Sequence, residues 1–274
     1  MNLLAGRALL KKMYPFLPEE LGSAFNLDET LTYGSIPLIW NSIDKKETLK
    51  AYVQMYLKEE IKGEAVVRNL PGFARFLPVA ATMHGQLINV ASASREAGIA
   101  RTTLSDYLEI LEDTLLVFKL PAFENKLRYR ERKHAKLYWL DPGLVRAINN
   151  RFSETSPEER GAVFEGFIAG LLKAYQEYRG LFDEFYYWAP ASSPNLEVDF
   201  LLKKDRKFIA LEIKTGNKVH KEQLKGLKAI AGLQGLKKRI IVYRGDKKLR
   251  TEDGIDIWPF SFFNQVLMEN SLWF

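Results

Sequence analysis

Glu197-Val198-Asp199-Phe200, and after it Phe208-Ile209-Ala210-Leu211-Glu212-Ile213-Lys214, is the stretch on which the reading of this 274-residue chain turns. Alternate residues of a strand face the same side, so Glu212 and Lys214 share a face with Phe208 and Ala210, while Ile209, Leu211 and Ile213 line the other. Such a strand is apolar on both faces up to its last residues and reads as central and covered on both sides. An unpaired carboxylate is expensive to bury there. Asp199 holds an equivalent place between Val198 and Phe200, and the turn-like Lys203-Lys204-Asp205-Arg206 allows the two segments to pair as a hairpin that brings the two acids together.

Working outward, the polar segment 149–160 with Pro157 marks a boundary. A long helix is expected from about 159 to 178, its wide apolar face formed by Phe164, Phe167, Ile168, Leu171, Leu172 and Tyr175, with Glu165 beside that face. Strands are expected at 185–188, 198–202 and 208–213, then a helix over 221–233, a strand at 239–243 and a last segment at 255–260. This order predicts an α+β class in which an α/β sandwich is built on a mixed sheet. Two carboxylates with backbone carbonyls and water make an oxygen-rich site suited to Mg²⁺ or Mn²⁺, and a nearby lysine can orient an attacking water.

The ordered set Glu165, Asp199 and Glu212-x-Lys214 resembles the restriction-endonuclease-like PD-(D/E)XK superfamily. The resemblance implies that the helix glutamate Glu165 helps to position metal, that Asp199 and Glu212 ligate it, and that Lys214 assists the nucleophile. Gln223-Leu224 is similar to the glutamine of the exonuclease-type branch, although the tyrosine expected four residues on is Leu227. Singly, these residues are ordinary strand-end charges in a salt bridge. Many members of the superfamily keep the fold for binding or regulation alone.

Upstream, 73–141 has the pattern of a winged helix: a helix ending near Met83, the short Leu87-Ile88-Asn89, a helix over 90–97, a turn at Gly98 and a third helix over 102–112. Gly98 suits a left-handed helix exit. Ile99, Leu104, Leu108 and Leu111 supply the buried side, leaving Arg101, Thr102 and Thr103 at the exposed start of a recognition helix. The strands 115–120 and 137–140 form the wing. Between them, 124–136 holds six basic residues (Lys126, Arg128, Arg130, Arg132, Lys133 and Lys136) against Glu124 and Glu131, which concentrates much of the chain's formal charge of +6. A solvated hairpin accounts for such a run, and so does contact with the phosphate backbone of DNA or RNA.

The chain reads as three parts: a helical N-terminal region (1–72), a winged helix (73–150) and a nuclease-like domain (151–274). With 47% hydrophobic and 27% charged residues it is globular. The absence of cysteine removes disulfides, thiolate zinc sites and cysteine nucleophiles, and only three histidines are present. No secretory signal and no run of eighteen apolar residues is found, which leads to the expectation of a cytoplasmic protein with no membrane partner. There is no Gly-x-x-x-x-Gly-Lys-Ser/Thr loop, so no ATPase site is expected in this chain.

Leu4-Ala5-Gly6-Arg7, Tyr14-Pro15-Phe16, Gly34-Ser35-Ile36-Pro37, the segment 56–61, the segment 107–114 and Glu197-Val198-Asp199-Phe200 together resemble the C-terminal half of bacterial and archaeal AAA-type P-loop ATPases. There, a winged helix is followed by a domain of unknown function with the restriction-endonuclease-like fold. The resemblance implies an ATPase half that is missing here, and an ATPase partner domain or chain. Two functions are consistent with this sequence: nucleic-acid binding with a Mg²⁺-dependent phosphodiesterase domain, or a non-catalytic regulatory or docking module of an ATPase.

Overall fold

The structure, a computed structural model, describes residues 11–56, 70–123, 134–190 and 196–274. The protein is α+β, with a small antiparallel sheet and a six-stranded mixed sheet. No helix among the described residues is long and apolar enough to cross a membrane.

The N-terminal helices are short: α1 (Pro18–Leu21), α2 (Leu27–Tyr33), α3 (Pro37–Trp40) and α4 (Lys45–Ala51). Prolines 18 and 37 start helices, because the first helical residue needs no N–H donor. The Asn26 side chain caps α2 by accepting from Glu29 N–H at 3.0 Å. After Ala51 the chain departs from α geometry, becoming a π-helix over Tyr52–Tyr56.

Next come α5 (Leu70–Thr82), β1 (Gln86–Leu87), α6 (Val90–Ala97), α7 (Arg101–Asp113), β2 (Val117–Leu120) and β3 (Lys136–Trp139), in the order of a winged helix. Asn89 caps α6, and Gly98 ends it with φ +62°. The sheet order is β1-β3-β2, all antiparallel.

Helix α8 (Pro142–Ile148) leads to the long α9 (Pro157–Arg179), which Ser156 caps and Gly180 closes at φ +56°. Strands β4 (Glu184–Trp188), β5 (Val198–Lys204) and β6 (Lys207–Lys214) follow as an antiparallel meander. The short α10 (Lys225–Ala229) then leads to β7 (Leu236–Tyr243), which pairs parallel to β6. A two-residue strand β8 (Leu249–Arg250), then β9 (Asp256–Pro259) and α11 (Phe260–Met268), complete the order β4-β5-β6-β7-β9-β8.

The expected 221–233 helix is broken into 3-10, α and 3-10 pieces. It is pressed against the chain leading into β5: a Cβ on Gly226 would stand 1.9 Å from the Glu197 carbonyl oxygen.

Strand alternation decides how the two halves join. On β3, Leu137 and Trp139 enter the winged-helix core, while Tyr138, and Leu140 just beyond the strand, enter the core between α9 and the large sheet. Tyr138 stacks near Phe118 and tilts against Phe200, with centroids 5.6 and 5.8 Å apart. Two apolar faces on one strand therefore bind the winged helix to the sheet domain in a shared core. Phe123 N–H donates to the Tyr187 carbonyl at 2.7 Å, and Tyr187 N–H to that of Pro121 at 3.0 Å, which extends the large sheet past β4 with chain from the winged helix.

Candidate functional site

One residue beyond the paired Phe200 and Leu211, Asp199 and Glu212 stand across from each other on β5 and β6. Both are buried, at 7% and 8% exposure. The Asp199 carboxylate accepts from Ile213 N–H at 2.7 Å, which fixes it at the rim of the hairpin. Lys214, two residues from Glu212 and so on the same face, donates to Glu212 Oε1 at 2.6 Å and lies 4.0 Å from Asp199 Oδ2. Glu212 Oε2 is buried and has no hydrogen-bond partner.

Glu165 comes to the same region from α9. Tyr138 donates to its Oε1 at 2.5 Å, and Lys136 Nζ lies 3.7 Å away. Lys136 also pairs with Glu197, just before β5, and sits over the Tyr187 ring. Because Lys136 and Tyr138 lie two apart on β3, the alternation that anchors Tyr138 in the core delivers the ammonium to the same side. In the sequence, Lys136 is counted with the basic run that could meet phosphate. The structure instead buries it, at 5% exposure, among carboxylates.

Four carboxylates (165, 197, 199 and 212) thus gather around two ammonium groups, and the excess of negative charge shows in the ionisation. Burial, then the Asp199 charge, push Glu212 up to about 8 against the pull of Lys214. Burial and then Asp199 also raise Glu165, to about 7, opposed by Lys136 and by the Tyr138 hydrogen bond. Burial would lower Lys136 and Lys214, but it is outweighed: Glu165, Glu197 and Asp199 raise Lys136, and Asp199 and Glu212 raise Lys214.

All four charged residues singled out in the sequence therefore fall in one neighbourhood. Asp199, Glu212 and Lys214 are in mutual reach, and Glu165 is held one step away by Tyr138 and Lys136. No group of three or more His, Cys, Asp or Glu side chains among the described residues is placed to hold a metal ion. A divalent ion here would have Asp199 and Glu212 as its protein ligands, with water completing the shell as Mg²⁺ commonly requires. The Gln223 side-chain oxygen accepts from His220 N–H at 2.9 Å, closing the turn that starts the 221–224 segment.

Of the expected nucleic-acid contacts, Arg101 and Thr102 are exposed and Thr103 partly so, on the first turn of α7. Lys126, Arg128, Arg130, Arg132 and Lys133 lie outside the described residues. The flanks of that segment can be placed: Phe123 bonds to Tyr187 through the backbone, and the Tyr187 hydroxyl donates to the His134 carbonyl at 2.8 Å.

Sequence comparison matches residues 24–155 to a domain of unknown function (DUF8612) and residues 160–263 to a second domain of unknown function (DUF4143). Uncharacterized proteins Mb2031c of Mycobacterium bovis and Rv2008c of Mycobacterium tuberculosis are each 26% identical over 276 residues, covering 98% of this chain and 60% of theirs. The chain thus spans well under two thirds of the length of these curated relatives. Among solved structures, the crystal structure of protein VC1899 from Vibrio cholerae aligns at 15% identity and a TM-score of 0.29, over 84% of this chain and 55% of that one.

Proposed function

We propose that this chain binds nucleic acid and carries a Mg²⁺- or Mn²⁺-dependent phosphodiesterase site of the restriction-endonuclease-like kind. One observation carries the reading: two buried carboxylates on paired strands share a single lysine, and one of their oxygens, Glu212 Oε2, is left without a partner. A buried acceptor of this kind costs stability unless something completes it. A hard cation does so, and the donor set of Asp199 and Glu212 suits one. When bound, the ion would supply Lewis acidity toward a phosphate oxygen. The chain's own groups do the rest: Lys214 holds Glu212 and can orient a water, and Tyr138 and Lys136 fix Glu165. The test is cleavage of DNA by purified protein with Mg²⁺ or Mn²⁺. Cleavage should disappear in a folded Glu212→Ala variant, and its persistence there would sink the proposal.

A second reading has its own support. Lys136 already pairs with both Glu165 and Glu197, so the cluster can serve as a structural ion-pair network within a docking module of a P-loop ATPase. The resemblance of the chain to the C-terminal half of such ATPases favours a partner domain or chain of that type. Calorimetric titration separates the two: metal binding that depends on Asp199 and Glu212 supports the enzyme, and its absence supports the module.

A further inference from the structure

The carboxylate cluster sits at the end of β6, and the sheet offers a second feature beside it. Lys214 is paired laterally with Tyr243 of the parallel strand β7. Beyond this point the loops after β6 and β7 enclose a basin of ≈ 740 Å³, whose wall includes Lys218, Tyr243, Arg244, Lys247 and Leu249. In sheets with parallel strands, the carboxyl ends are where ligands gather. Leu249, half exposed on the edge strand β8, also lines a second basin of ≈ 610 Å³ with Lys248, Arg250, Trp258 and Phe262. The two basins therefore form one path around β8.

The path is strongly basic. Lys218, Lys247 and Lys248 are exposed, and none has a carboxylate within ion-pairing range among the described residues. Arg244 pairs with Asp28 and Arg250 with Asp256, and Asp246, exposed in the wall of the first basin, offsets one of the three lysines, so the path keeps a positive excess. Lys248 lies 3.8 Å over the Phe262 ring, which holds the ammonium at the surface in a defined place. Tyr243 fixes the loop between, its hydroxyl accepting from Lys247 N–H at 3.0 Å and donating to the Lys247 carbonyl at 2.6 Å. A loop stapled in this way presents its charges without the ordering cost of a flexible arm.

We infer that this path around β8 is a phosphodiester-binding track, along which a nucleic-acid strand leaving the carboxylate cluster is held by Lys218, Lys247 and Lys248. The inference rests on the nucleic-acid part of the proposed function but not on hydrolysis. Charge complementarity identifies the occupant: a row of ammonium groups without carboxylate partners, carried by loops around the edge strand β8, fits a polyanion with regularly spaced phosphates.

The experiment measures binding of a fluorescein-labelled single-stranded oligonucleotide to the full chain in EDTA, across a salt series. The K218E/K247E/K248E variant is compared with K11E/K12E/K46E, which reverses exposed lysines on the N-terminal region. Each lost phosphate contact lowers the slope of log K against log salt by about 0.7 on a single strand. The first variant should therefore lose about two units of slope and at least tenfold in affinity at low salt, with its melting unchanged, while the control keeps both. Wild-type affinity and slope in a folded K218E/K247E/K248E protein would overturn the track alone. If the wild-type chain fails to bind the oligonucleotide, both the track and the nucleic-acid reading fail. Cleavage lost in Glu212→Ala with EDTA binding intact leaves the track in place.

Discussion

Replacing Glu212 by glutamine should make the metal-free protein more stable and the metal response disappear. At pH 8 an unfolded glutamate is ionised, whereas burial and the Asp199 charge hold the folded one near its midpoint, at about 8 rather than 4.5. For an acid whose folded pKa is raised, folding is penalised above the folded value, and the penalty fades as pH falls to the unfolded value. The displacement corresponds to about 4 kcal/mol at pH 8. The pull of Lys214, at 2.6 Å from Glu212, is already contained in that net displacement. The expectation is that Glu212→Gln, a neutral isostere, is more stable by up to about 4 kcal/mol at pH 8, with the gap closing near pH 5. Urea denaturation of both proteins in EDTA at the two pH values measures this. The same pair is then melted with Mn²⁺: an ion at 100 times its dissociation constant adds about 2.7 kcal/mol to the wild type and nothing to the variant. A variant that is less stable than wild type by the same margin at both pH values would refute the claim that Glu212 is a strained, incompletely satisfied carboxylate.

Asp199→Ala leaves the Ile213 N–H, 2.7 Å from its present acceptor, unsatisfied, and should cost about 1–3 kcal/mol in urea denaturation while also abolishing metal binding by calorimetry. Gly166→Ala would place a methyl 1.9 Å from His84 Nε2, so despite better helix propensity it should destabilise by about 1–3 kcal/mol, and a His84→Ala partner mutation should recover part of the loss. His84 itself is lowered by burial to about 4, so its contribution is present above pH 6.5 and is lost progressively as pH falls toward 4, by about 3 kcal/mol at most; the pH dependence of the urea midpoint should flatten accordingly in His84→Asn. Arg146→Met removes a buried guanidinium that bonds Glu159 at 3.0 Å and the carbonyls of Thr32 and Ser153, and should cost about 3 kcal/mol by thermal melting, because both carbonyls lose their donor and Glu159 keeps only the longer 3.6 Å pair with exposed Arg151.

The hairpin of β5 and β6 was readable because both strands announce two apolar faces, and only one register then sets Asp199 against Glu212. The helix carrying Glu165 was readable from its apolar stripe, while its start at Pro157 lies in the polar segment read as a boundary. Strand β8 was not, since two exposed residues carry no periodicity. The role of Lys136 was hidden for a different reason. In a linear count it belongs to a basic run, and a charge run is ordinarily a solvated face. The signal lay in parity: Lys136 falls in step with Tyr138 and Leu140, on a strand whose other face is Leu137 and Trp139, so any residue of that step must point toward the sheet domain. The tyrosine that completes the Glu165 contact was invisible for the same reason, since nothing local marks which acid it will meet.

That parity has a consequence for how the two halves of the chain work together. Strand β3 belongs to the winged helix by its hydrogen bonds, yet it supplies Lys136 and Tyr138 to the carboxylates of the sheet domain. Any rotation of the winged helix relative to α9 would draw an ammonium and a phenol away from Glu165 and Glu197 together. The shared core around Tyr138, Phe118 and Phe200 resists such a rotation, because separating those rings exposes apolar surface at about 25 cal/mol per Å². The groups that oppose burial and the Asp199 charge at Glu165, Lys136 and Tyr138, therefore come from a different structural unit from the one that holds Asp199 and Glu212. Removing only the phenol hydroxyl, as in Tyr138→Phe, keeps the ring against Phe200 and should push the Glu165 pKa up further, read by NMR titration, while leaving the Asp199 bond to Ile213 intact.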